Sequence, residues 1–157
     1  MNGTFVDVAC AVIAGPIDPL SGTTTPVNTM TLKVYAVSND GRLWQTLRNG
    51  IDNGWTHTSK NINLLVTDLG TVERVSACLR RQRGTHVVIT NSNGAGRVLN
   101  EVNDDSWIPV STDLGAAHST SSNDFIDVSV TDWGAGKLGF YGIKCTNDLL
   151  EGLSTKG

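Results

Sequence analysis

The chain has 157 residues, about one ordinary domain. With 39% hydrophobic residues, 17 glycines and only 17% charged residues, it is neither a disordered polyelectrolyte, nor a coiled coil, nor a basic histone-like protein. A net charge of −3 supplies no positive field for nucleic acid or an anionic membrane surface, and the apolar stretches are too short and broken to insert in a bilayer.

Taken in chain order, Met1 is followed by Asn2, Gly3, Thr4 and Phe5, with no basic or sustained apolar leader. No signal peptide is expected, and cytoplasmic residence and export by a non-signal route both stay open. Phe5 to Ile13 reads as an apolar strand of small residues, and a Gly-, Pro-, Ser- and Thr-rich insertion follows from Gly15 to Thr29. Thr31 to Ser38 is rich in strand formers. Asn39-Asp40-Gly41 is a hairpin turn, because these residues tolerate positive φ. Arg42 to Leu47 returns, and Trp55 opens a weaker fourth strand after the polar turn Asp52-Asn53-Gly54.

The same series recurs. Val72 to Leu79, Thr85 to Thr90, a turn at Asn91 to Gly94, Arg97 to Val102 and Trp107 to Val110 form a second set. Ile126 to Thr131, Leu138 to Lys144, a turn at Thr146-Asn147-Asp148 and Leu149 to Leu153 form a third, with no fourth strand before Gly157. No segment carries a helical period over three turns.

Three markers make this a tandem repeat of about 50 residues. Val8, Val75 and Val128 are spaced by 67 and 53, and removing the 15-residue insertion leaves 52 for the first interval. Trp55 and Trp107 are 52 apart. Thr67-Asp68-Leu69-Gly70 recurs at Thr112-Asp113-Leu114-Gly115. The repeats are placed at about 5–72, 73–124 and 125–157 in a single domain. Four short antiparallel strands per repeat describe a β-propeller blade. The small residues Ala9, Ser76 and Ser129, at matching places in the first strands, suit the crowded axis. A β-sandwich leaves the repeat unexplained, and β-trefoil repeats are usually shorter.

The expected fold is therefore all-β: about three four-stranded antiparallel blades, the last incomplete. Three blades do not close a ring that typically has four to eight. An open wedge leaves apolar blade faces in water. Closure by homo-oligomerisation is expected, with six blades from two chains the simplest solution; the rival is that the chain is a piece of a longer propeller. Asn2 to Phe5 is a candidate extra strand for the third blade, in this chain or in a partner.

The segment Val6-Asp7-Val8-Ala9-Cys10-Ala11, followed by Val34-Tyr35-Ala36-Val37-Ser38-Asn39-Asp40-Gly41-Arg42-Leu43-Trp44-Gln45-Thr46-Leu47-Arg48, resembles one unit of the tectonin- or tachylectin-type propeller repeats. The match is close over the first repeat, looser over the second and weak over the third. The fucose-binding propeller lectins are more distantly similar. The resemblance implies sugar binding in shallow pockets between blades, without chemistry. In the fucose lectins an Arg on the second strand, a Glu on the third and an aromatic near the fourth hold the sugar. The matching positions here are Lys33, Gln45 and Trp55, and in the second repeat His86, Asn100 or Glu101, and Trp107. The Arg and Glu are not kept, while the polarity is.

The chemistry of a sugar points the same way. Hydroxyls need hydrogen-bonding side chains on rigid strands, and the C–H face needs an aromatic platform. The expected ligand-binding residues are Trp55, Trp107, Lys33, Gln45, His86 and Asn100, in two equivalent pockets floored by the two tryptophans. Trp44, alternating with Leu43 inside a strand, reads as blade packing.

Catalytic-looking features carry less. Gly134-Ala135-Gly136-Lys137-Leu138-Gly139 matches a dinucleotide fingerprint but leads into a strand, so it reads as a hairpin turn. His57, His86 and His118 lack metal-ligand spacing, and neither a cofactor nor a metal is expected. Arg80, Arg81 and Arg83 read as a solvated hairpin tip, and Cys10, Cys78 and Cys145 as buried small hydrophobes rather than a disulfide framework. No paired carboxylates with a Tyr or Arg triad mark a sialidase-like enzyme. The expected function is a non-enzymatic, multivalent lectin for glycans or glycoconjugates; the alternative is a protein-interaction or assembly propeller without a sugar site.

Overall fold

The computed structural model describes residues 3–13, 31–49, 59–80, 84–102, 106–113, 125–134, 137–144 and 149–155. Trp55, His57, Arg81, Arg83, His118, Cys145, the whole insertion from Gly15 to Thr29 and the turn at 146–148 lie outside the described residues. The first sheet comprises β1 (Phe5–Ile13), β2 (Thr31–Ser38), β3 (Leu43–Asn49) and the short β4 (Lys60–Asn61), in that order and antiparallel. The second comprises β5 (Val72–Arg80), β6 (Gly84–Asn91), β7 (Gly96–Val102) and β8 (Ser106–Asp113). The third comprises β9 (Phe125–Gly134), β10 (Lys137–Lys144) and β11 (Leu149–Thr155). The only helical element among the described residues is a 3-10 turn, Ile62–Leu64. These are antiparallel blades of a β-propeller-type fold.

The first strands line up along the inside, β1 against β5 and β5 against β9. Their registers coincide. Val8 pairs with Ala36, Val75 with Ile89 and Val128 with Gly142. Each first strand also has an irregularity at the same place, after Phe5, after Val72 and at Phe125. Gly142 reflects the tight fit: a Cβ there would collide with the Phe125 ring.

Two apolar layers hold the blades together. Tyr35, Val37, Leu43, Ile62, Val66 and Leu69 of the first repeat meet Val72, Val75, Val87, Ile89 and Leu99. Val88 and Val98 then meet Phe125, Val128, Val130 and Phe140. Blade-to-blade backbone latches repeat as well. The Gly41 carbonyl accepts from Val72 N–H at 2.9 Å, and the Gly94 carbonyl from Phe125 N–H at 3.0 Å. Both glycines sit in the predicted turns with φ of 76° and 72°, a region that side chains with a Cβ adopt only at a cost.

A Cβ on Gly41 would also meet Thr71 Cγ2. Gly41→Ala is expected to destabilise by about 1–3 kcal/mol, from left-handed backbone strain together with the contact; an unchanged urea midpoint would contradict this.

One expectation is corrected. Cys10 is exposed, because among the described residues no strand packs on its side of β1, whereas Cys78 packs partly into the layer between the second and third blades. Thr4 does not extend the third blade within this chain: its carbonyl accepts from Asn39 N–H at 2.9 Å, and Phe5 opens β1.

Candidate functional site

The junction of the first two blades contains a buried polar cluster. On β2, residues 33, 35 and 37 share the face turned to the second blade, so strand alternation carries Lys33 into the same layer as Tyr35 and Val37. All three are fully buried. A buried ammonium demands a partner, and it comes from the neighbouring blade: Lys33 Nζ lies 2.8 Å from Glu101 Oε1, on β7. Gln45, on β3, donates from Nε2 to both Glu101 oxygens at 3.2 Å. Thr85, on β6, donates to Oε2 at 3.0 Å. The Tyr35 hydroxyl lies 2.8 Å from Thr85 Oγ1 and 3.0 Å from Glu101 Oε2.

These contacts set the charge states. Burial pushes the Glu101 carboxyl up, but the Lys33 ammonium and the Gln45 and Thr85 donors more than offset it, holding it below its ordinary value. Burial first, and then the Glu101 charge, push the Tyr35 phenol far above its usual range. The cluster is thus an ionised pair fixed by neutral donors.

Trp107, on β8 and paired in register with Glu101, closes one side. Its indole meets the Tyr35 ring edge-on, with centroids 6.1 Å apart and planes at 88°. Trp107 is only half-buried. Among the described residues two buried polar atoms here have no hydrogen-bond partner: the Trp107 indole N–H, a donor, and Gln45 Oε1, an acceptor. Unpaired buried polar atoms are uncommon and costly.

Of the residues expected from sequence, Lys33, Gln45 and Trp107 come together at this junction. His86 and Asn100 form a separate pair on β6 and β7, with Nδ1 and Oδ1 2.5 Å apart. Trp55 lies outside the described residues. The grouping crosses repeats because a junction takes its residues from two blades, so the tryptophan of the second repeat joins strand residues of the first. Tyr35 and Thr85 belong to the site and were not singled out. The available signal was Lys33 itself, a charge on an otherwise apolar strand face.

Trp44 donates from Nε1 to Ser38 Oγ at 3.1 Å and is half-buried, a packing role. Burial, with the nearby Asp132 charge, pushes the Cys78 thiol up to about 12, which keeps it protonated and unreactive at neutral pH. Among the described residues no three His, Cys, Asp or Glu side chains are grouped to hold a metal.

No protein-family model and no curated protein matches the sequence. Among solved structures, a mutant of the Aleuria aurantia lectin in complex with α-methyl-L-fucoside is similar, with a TM-score of 0.57 and 15% identity. The similarity covers 96% of this chain and 46% of that one, so this chain spans about half the length of the lectin it matches. That lectin is a β-propeller, and at this identity the likeness concerns the fold.

Proposed function

We propose that this chain is a carbohydrate-binding propeller protein, a lectin rather than an enzyme, with a shallow sugar site where the first two blades meet. The observation that carries the reading is the partly exposed Trp107, paired in register with Glu101 of the buried Lys33–Glu101–Gln45 cluster and packed edge-on against Tyr35. A half-open aromatic face is what the C–H side of a sugar stacks on. The similarity to a lectin crystallised with a fucoside supports the same reading. Trp55 with its repeat, and the His86–Asn100 pair, are further sites of this kind; several weak sites acting on one surface gain affinity by avidity.

A second reading is favoured by one observation. Lys33, Gln45, Thr85 and Glu101 are almost fully buried, as in a polar peg that fixes two blades in register within an assembly or protein-interaction propeller. A glycan array on the purified chain separates the two, since only the lectin reading predicts a reproducible set of bound glycans. Trp107→Ala is then expected to weaken binding of an array hit about two- to tenfold, since an aromatic contact contributes about 0.5–1.5 kcal/mol beyond the area it buries. Unchanged binding by a folded Trp107→Ala would remove Trp107 from the site.

A further inference from the structure

We propose that the open face of the first blade and the open face of the third dock on each other between two copies of this chain, closing a ring of six blades through two identical junctions. This does not rest on the sugar reading. It comes from comparing equivalent positions within the molecule.

Val8, Val75 and Val128 hold one register position. Val75 and Val128 each lie against the preceding blade and are 5% and 6% exposed, whereas Val8 is 64% exposed. Phe5, Val72 and Phe125 open the three inner strands; Val72 and Phe125 are each 2% exposed, and Phe5 is 36% exposed. The opposite face behaves alike. Val37, Thr90 and Ile143 pair with Asp7, Arg74 and Asp127; the first two are fully buried against the next blade, and Ile143 is 41% exposed. Phe5, Val8 and Ile143 are thus open on the outer faces of the first and third blades, where their equivalents at an internal junction are buried, while the small Ala36 beside Val8 stays covered at 7% exposure. Among the described residues the two outer faces therefore present the two halves of such a junction, and apolar surface of this kind marks an interaction site.

The polar positions favour a second copy over an unrelated partner. At the first junction, Gln45 (opposite Tyr35) meets Glu101 (opposite Thr85). In the third blade Glu151 stands opposite Tyr141, in the register place of Gln45. In the first blade Arg48 stands opposite Leu32, in the register place of Glu101. A junction between copies thus sets an acidic position against a basic one. Each face of one copy meets the other face of its partner, so a twofold axis along the ring closes the assembly. Six is also the one multiple of three within the usual range of four to eight blades.

Light scattering tests this. The wild-type chain is expected at about 33 kDa, twice its 16.7 kDa. Val8→Asp, Arg48→Glu and Glu151→Arg are each expected to weaken self-association on the order of 100-fold, from like charge or a buried carboxylate at the junction, while circular dichroism stays that of the wild type. Arg48→Glu combined with Glu151→Arg is expected to restore the mass. A folded wild-type monomer, a mass of three or more copies, a dimer untouched by Val8→Asp, or a charge swap that fails to restore association overturns the proposal.

Discussion

Glu101→Leu is expected to cost about 3–5 kcal/mol of stability, because it leaves the Lys33 ammonium buried without its carboxylate. The same substitution removes the carboxylate acceptor of Gln45 Nε2, which keeps only the Tyr35 hydroxyl at 3.3 Å, and of the Thr85 hydroxyl, so several donors are weakened together. Combining it with Lys33→Met is expected to recover most of the loss, since a well-packed apolar pair can replace a buried ion pair at little cost. Urea midpoints of the two single variants and the double variant give the coupling directly. The pH dependence has a definite sign. The folded Glu101 carboxyl lies below its ordinary value, so its contribution is present above the unfolded value of about 4.3 and is lost as pH falls through the folded value. The slope of stability against pH in that acid window is expected to diminish in the double variant. A loss under about 1 kcal/mol for Glu101→Leu would show that Lys33 reaches water.

Phe125→Ala is expected to cost a comparable amount, about 3–5 kcal/mol. Its ring is buried in the layer between the second and third blades with Val88, Val98, Val128, Val130 and Phe140, and it fills the space that Gly142 leaves. Truncation empties that space, and the flanking strands are too firmly paired to collapse into it. Gly142→Ala approaches the same site from the other side: its new methyl collides with the ring and is expected to cost about 1–3 kcal/mol by overpacking. In Phe125→Leu with Gly142→Ala, the methyl occupies part of the space the ring gives up. The double variant is therefore expected to be more stable than the sum of the single effects predicts, as neighbours sharing one cavity should be. Simple additivity in denaturant unfolding would show that the two positions do not share that space.

The blade pattern was legible because strand alternation and turn chemistry are local. Asn39-Asp40-Gly41 and Asn93-Gly94 announce positive φ, and Gly41 and Gly94 have it. The small residues of β1, β5 and β9 announced inner strands, and these strands do lie side by side. Lys33 and Gln45 were recognisable as polar residues on rigid strands, but their partner was not. The burial of Glu101 is decided by the face that the first blade presents to it, which no pattern local to β7 reveals. Cys10 shows the same limit. Its Val-Ala-Cys-Ala setting reads as core, and the equivalent Val130 is buried, yet nothing local to β1 tells whether a blade will cover it. Tyr35 was overlooked because, among Val and Ala neighbours, it looks like an ordinary strand residue; its hydroxyl matters only once Thr85 and Glu101 are brought to it.

The most direct test of the sugar site is the indole N–H signal of Trp107 by NMR, followed as a glycan selected from the array is added. The sequence has four tryptophans, and Trp107→Phe identifies the signal that belongs to this one. A sugar seated over the Lys33–Glu101 cluster is expected to shift that signal in a saturable way, and the shift should follow the same binding curve as calorimetry. Saturable glycan binding that leaves the Trp107 signal unmoved, or an array on which no glycan binds, would contradict the account.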